Sequence, residues 1–260
     1  MPIRFTNKPG LVVYLTSGDP DLATTREIAL AAIDAGADVL ELGVPFSDPL
    51  ADGPVIQRAS ERAVAGGTRL VDVVGLAKEL RSARPAAGLV IFSYYNPVLH
   101  FGLERFCAAA AAAGVDGVLV TDMIVEEAGE YLEHLHRAGL APIFLAAPTS
   151  TEKRLQAIAE ASEGFVYAIS RTGITGTQET LRSDAQELVA RLRKYTDLPI
   201  AVGFGVSNAE HVTALGHFAD AAVVGSAIVA TIEKSSPGEA PAAVARFIKG
   251  LRQVNPVPAR

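Results

Sequence analysis

The sequence predicts an α/β fold, a single (β/α)8 barrel over residues 1–260, and three observations lead there. Eight short, nearly all-apolar segments alternate with stretches of helical periodicity, the mark of parallel strands covered on both faces. Helices repeatedly end in Ala-Gly-apolar just before the next such segment, at Ala35-Gly36-Ala37, Ala113-Gly114-Val115 and Ala138-Gly139-Leu140, where a tight turn needs a left-handed cap. The 260 residues contain no linker, low-complexity tract or composition break, and that is the usual length of one such barrel. An open doubly wound sheet is the competing arrangement.

The elements follow in order. Leu11–Leu15 is a strand that ends at the turn Thr16-Ser17-Gly18-Asp19-Pro20, and Leu22–Ala35 is a helix stopped by Gly36. Val39–Leu42 is the second strand, followed by a Gly/Pro loop and helices over Val55–Val64 and Leu70–Arg81. Leu89–Ser93 is the third strand, Leu103–Ala113 a helix and Gly117–Val120 the fourth strand. Glu126–Arg137 reads as helix, Pro142–Ala146 as the fifth strand, Glu152–Ala161 as helix and Phe165–Ile169 as the sixth strand. A polar, Gly-rich loop from Ser170 to Thr180 precedes the helix Ser183–Tyr195. Pro199–Val202 and Ala221–Val224 are the last strands, with helices at Ala209–Leu215, from about Ser226, and over Pro241–Leu251.

A formal net charge of −6 argues against nucleic acid or an anionic membrane surface as the main partner. No apolar run approaches the roughly 18 residues a membrane span needs, and Met1–Gly10 shows no secretory leader pattern. The single cysteine, Cys107, fits a reducing cytoplasm and reads as a small helix-packing residue. The five histidines have no spacing that completes a metal site, so no metal is expected.

The stretch Val39–Gly53, V-L-E-L-G-V-P-F-S-D-P-L-A-D-G, concentrates the chemistry. An ionised carboxylate inside an apolar strand is costly unless it is paired or its pKa rises. Glu41 therefore reads as an acid/base group at the barrel mouth, with a satisfied buried acid as the other reading. Asp52 reads as a second carboxylate facing the substrate, against a plain turn residue before Gly53. Asp48 reads as a turn residue or a partner contact. In a barrel the loops after strands 7 and 8 commonly hold phosphate. Here they contain Gly203-Phe204-Gly205 and Gly225-Ser226-Ala227, with Gly173 and Gly176 after strand 6, so a small phosphorylated substrate is expected. Ser170–Gly176 resembles a lid with glycine hinges. Tyr14, Phe92, Leu119, Leu145, Tyr167 and Phe204, at strand ends, are candidates to wall a flat aromatic substrate. The lysines fall away from strand ends, so a Schiff-base aldolase lacks its nucleophile.

The segment Leu40–Pro54, L-E-L-G-V-P-F-S-D-P-L-A-D-G-P, resembles the signature of the tryptophan synthase α chain family. Thr16–Pro20, Tyr94-Tyr95-Asn96-Pro97, Ser170–Gly176, Gly203-Phe204-Gly205 and Gly225–Val229 stand in that family's order. The resemblance implies retro-aldol cleavage of indole-3-glycerol phosphate to indole and glyceraldehyde 3-phosphate. It also implies an α2β2 complex whose β chain carries pyridoxal phosphate, with no cofactor in this chain. By the same resemblance Glu41 is the general acid/base and Asp52 the carboxylate at the indole nitrogen. Gly176, Gly205, Gly225 and Ser226 form the phosphate site, and Thr175 is the lid residue near Asp52. Phe92, Tyr167 and Phe204 match the indole-site walls; Tyr14 is expected at the substrate from its place at a strand end, and Asp48 and Asn96 are expected to face the partner.

Two departures stand out. Asp122-Met123-Ile124 occupies a position where the family usually has Asp-x-Pro, which bears on partner coupling, and the segment before the first strand is short. Three alternatives are a stand-alone lyase releasing free indole, an inactive barrel that only activates its partner, and a different phosphosugar isomerase or synthase.

Overall fold

The computed structural model describes residues 3–169, 178–203 and 205–253. Its elements in chain order are β1 (Gly10–Thr16), α1 (Leu22–Asp34), β2 (Val39–Gly43), α2 (Pro54–Ala65), α3 (Leu70–Ala83), β3 (Gly88–Ser93), α4 (Tyr95–Phe101), α5 (Leu103–Ala112), β4 (Gly117–Val120), α6 (Gly129–Ala138), β5 (Ala141–Ile143), β6 (Leu145–Ala146), α7 (Glu152–Ala161), β7 (Val166–Ile169), α8 (Gln178–Leu192), β8 (Ile200–Gly203), α9 (Ala209–Gly216), β9 (Ala221–Val224), α10 (Ser226–Glu233) and α11 (Ala240–Arg252). All pairings are parallel, in the order β5-β4-β3-β2-β1-β9-β8-β7-β6.

The two ends of that order, β5 and β6, are halves of the one strand expected over Pro142–Ala146. They part at Phe144, whose carbonyl accepts from the Tyr167 amide at 3.1 Å. Below the break the strand pairs with β4, and above it with β7. The sheet thus rolls into a nearly closed barrel whose seam runs through this segment, which is why one expected strand appears as two.

Two helix boundaries move and one helix is added. Helix Glu126–Arg137 becomes a 3-10 turn, Val125–Glu127, followed by α6. Helix Ser183–Tyr195 starts earlier, as α8 at Gln178. The sequence predicts no element between Ser93 and Leu103, where the structure has α4. Pro97 sits in the helix's first turn, where its missing N–H costs nothing.

The Ala-Gly caps take the expected conformation, with φ of 113°, 78° and 69° at Gly36, Gly114 and Gly139. One large apolar shell lies between strands and helices, and includes Cys107, whose thiol burial pushes up to about 11. A second, smaller cluster fills the lower barrel with Val12, Val39, Val90, Leu119, Ile143 and Phe165. Ile3 and Phe5, from the extended segment before β1, close its bottom, Phe5 edge-on to Phe165 at 5.9 Å. With the floor filled, side chains one layer higher, at Tyr14, Glu41, Phe92 and Tyr167, have open space only toward the C-terminal ends of the strands.

The N-terminal end of the barrel carries a repeated ionic clamp. Asp38, Asp116 and Asp220, each just before a strand, accept the amides of Leu11, Leu89 and Ile200 at the start of the preceding strand. Each also pairs with an arginine, Arg252, Arg81 and Arg193 respectively.

Candidate active site

A cavity of about 930 Å³ opens at the C-terminal ends of the strands. Glu41, Asp52, Tyr14, Phe92, Tyr167, Gly205, Gly225 and Ser226 all line it. Eight of the residues singled out by sequence, from six strands and their loops, therefore meet in one space. Thr175, Gly176 and Phe204, and the lid Ser170–Gly176, lie outside the described residues. Leu119 belongs to the lower barrel cluster instead of the cavity wall. Asp48 and Asn96 are exposed and do not line the cavity.

Glu41 is held by the strand itself. Its neighbours Leu40 and Leu42 point into the outer core, so strand alternation turns Glu41 inward, beside Tyr14 in register. It is fully buried, and neither carboxylate oxygen has a hydrogen-bond partner among the described residues. The reading of Glu41 as a satisfied structural acid thus finds no partner to satisfy it. Burial pushes its pKa up to about 8, so at neutral pH it is a protonated acid with a proton to give.

Asp52 sits differently. The loop after β2 is not free at this point: the Tyr94 hydroxyl donates to Asp52 Oδ2 at 2.9 Å and accepts from the Ala51 amide at 2.9 Å. Burial raises the Asp52 carboxyl, and the Tyr94 hydrogen bond pulls it back. Asp52 also immediately precedes Gly53, the N-cap of α2, whose positive end favours the ionised form. Among the described residues, one cavity therefore presents a carboxyl with no donor and a carboxyl with one, an arrangement that separates an acid/base role from a charge-stabilising role.

Around these acids the wall is apolar, with Ile56, Phe92, Leu145, Ile169 and Val223. Tyr14 meets Phe92 edge-on, with centroids 5.1 Å apart. At the other end Gly225 caps the eight-residue α10, which starts at Ser226, and Gly205 adopts φ of 72° in the loop after β8. Backbone amides and a helix N-terminus at that end suit a phosphate. Among the described residues no group of three or more possible metal ligands occurs.

Sequence reasoning missed several contributors. Tyr94 stands in the motif Tyr94-Tyr95-Asn96-Pro97 with nothing local to mark its role, since its contact with Asp52 spans 42 residues. Thr121, just after β4, also lines the cavity. Asp19 is buried and bonded by two nitrogens of Arg62 at 2.8 Å each. Arg62 and Arg58 both bond Glu233 at the end of α10. This network ties the loop after β1 and helix α2 to the helix that opens at Ser226.

The family model described as tryptophan synthase alpha chain matches residues 3–255. The tryptophan synthase alpha chain of Solibacter usitatus is 50% identical over 238 residues, 92% of this chain and 89% of the relative. That of Methylococcus capsulatus is 49% identical over 230 residues, 88% and 86% of the two chains. Among solved structures, Mycobacterium tuberculosis tryptophan synthase superposes with a TM-score of 0.86 at 36% identity, covering 94% of this chain and 91% of that one. The tryptophan synthase subunit alpha of Legionella pneumophila gives a TM-score of 0.86 at 32% identity, with 94% and 92% covered. The chain belongs to the tryptophan synthase alpha chain family.

Proposed function

We propose that this chain cleaves indole-3-glycerol phosphate to indole and glyceraldehyde 3-phosphate, with Glu41 as general acid/base and Asp52 as the carboxylate facing the indole nitrogen. The observation that carries the assignment is the buried Glu41, without a hydrogen-bond partner among the described residues, and the Tyr94-held Asp52 in one apolar cavity. Protonated Glu41 gives its proton to ring carbon 3, which places positive charge on the ring and its N–H. Asp52 stabilises that charge. The Glu41 carboxylate then takes the proton of the adjacent chain hydroxyl. The C–C bond breaks, its electrons neutralise the ring, and the aldehyde leaves. Glu41 ends protonated, so the cycle consumes no net proton.

Gly205, Gly225 and Ser226 hold the phosphate, and the family resemblance assigns the same role to Gly176 and a lid role to Thr175. Tyr14, Phe92, Tyr167 and Phe204 wall the indole. No step needs a cofactor in this chain; pyridoxal phosphate belongs to a β partner that receives the indole in an α2β2 complex. Exposed Leu50, Leu99 and Ile124 support a partner at this face, since they lie in the successive segments after β2, β3 and β4. Asp48 and Asn96 sit in the first two of these segments. The lone buried cysteine supports a cytoplasmic setting.

The test is indole release from indole-3-glycerol phosphate, with and without a β chain. Glu41→Gln should fold and lose turnover by several orders of magnitude. Near-parental turnover in that variant would refute the acid/base assignment. Partner stimulation with no turnover in the parent chain would identify a non-catalytic activator.

A further inference from the structure

Tyr14 stands between the two ends of this site. β1 pairs with β9 on one side and β2 on the other, so the ring lies between the Gly225–Ser226 loop after β9 and Glu41, its register partner on β2. A Cβ placed on Gly225 would lie 3.5 Å from the Tyr14 Cβ. The ring packs on Phe92, Ala59 and Val229. Those contacts account for an aromatic ring and leave its hydroxyl without a reason.

That hydroxyl has a dedicated place. A Cβ on Gly43 would come within 2.4 Å of the Tyr14 oxygen, so the glycine is what makes room for it. Thr16 Oγ1 donates to the same oxygen at 3.4 Å. Among the described residues, the phenol's own proton has no acceptor. Burial, with the nearby Asp52 and Glu41 charges, raises the Tyr14 pKa, which keeps the group a neutral donor. A substrate with its phosphate at Gly225–Ser226 and its reacting carbon at Glu41 must carry its hydroxylated three-carbon chain past β1.

We propose that the Tyr14 phenol contacts the substrate directly, donating a hydrogen bond to a hydroxyl of the glycerol chain and thereby orienting that chain toward Glu41. This rests on the substrate assignment above. Its test pairs one protein oxygen with the ligand's hydroxyls, in a Glu41→Gln background that prevents turnover. Calorimetry measures the binding of indole-3-glycerol phosphate and of indole-3-propanol phosphate, which keeps ring and phosphate but lacks both hydroxyls, with and without Tyr14→Phe.

The added Tyr14→Phe substitution should weaken indole-3-glycerol phosphate about tenfold and the hydroxyl-free ligand less than about twofold. Equal losses for both ligands, or no loss for either, would overturn the proposal. Denaturant midpoints confirm that Tyr14→Phe, which keeps the ring, leaves the fold intact. A Glu41→Gln parent that binds neither ligand, beside a wild type that releases no indole, would overturn the substrate assignment and this proposal with it.

Discussion

Replacing Glu41 by Gln should change stability as well as turnover, and the change should depend on pH in one direction. The carboxyl titrates near 4.5 when unfolded and near 8 in the barrel. Between those values the folded chain binds a proton that the unfolded chain has released, so wild-type stability falls as pH rises. The full contribution of this acid is present below about pH 4.5 and is lost by about pH 8. At about 1.4 kcal/mol per pH unit, the interval sets a ceiling of about 5 kcal/mol. Gln has no charge to bury, so the variant lacks this loss. Urea unfolding of both proteins at pH 5 and pH 9 measures it. The difference, variant minus wild type, should become more positive by several kcal/mol at the higher pH. A constant difference would mean that Glu41 ionises as easily in the barrel as in water, and the reasoning from its missing partners would fail.

Other perturbations probe the remaining contacts. Tyr94→Phe removes the donor that pulls the Asp52 carboxyl down. The acid-side limb of kcat/KM should move to higher pH, with kcat/KM reduced about 10- to 100-fold, as expected for a hydrogen bond to a charged group; an unmoved limb counts against Asp52 acting as an anion. Asp38→Ala leaves the Leu11 amide and Arg252 without their shared acceptor at the closed end of the barrel. It should cost about 3 kcal/mol at neutral pH in denaturant unfolding, with turnover per folded molecule unchanged. Burial raises Asp38, but bonds from Thr6, the Leu11 amide and Arg252 hold it below 3.8, so the wild-type advantage should fade below about pH 4. Leu99→Asp, at an exposed position on α4, should weaken β-chain affinity at least about tenfold in titration calorimetry while indole release by the isolated chain persists.

Much of this site was legible because local rules carried it. Glu41 stands out as the one acid in an apolar strand, and strand alternation alone points it inward once Leu40 and Leu42 are assigned to the outer core. The Ala-Gly caps mark the helix ends because only a left-handed residue closes so short a turn. What escaped depends on contacts between distant parts of the chain. The seam at Phe144 exists because one strand changes neighbours in mid-course, and no periodicity records that. Tyr94 reaches Asp52, and Asp19 reaches Arg62, across more than 40 residues each. Asp38, Asp116 and Asp220 look like ordinary turn acids until the preceding strand's amides, 20 to 27 residues away, are found on them. The helix at Tyr95–Phe101 is only seven residues long, too short for its periodicity to stand out, and it tolerates Pro97 because the proline falls in its first turn.

The proposed chemistry depends on the barrel holding Glu41 protonated at neutral pH, ready to give its proton to a ring carbon. Its most direct test is carbon-13 NMR of protein labelled at the glutamate side-chain carboxyl, assigning the signal that Glu41→Gln removes. The titration midpoint of that carboxyl should lie near 8. A midpoint near 4.5 would contradict the proposed chemistry.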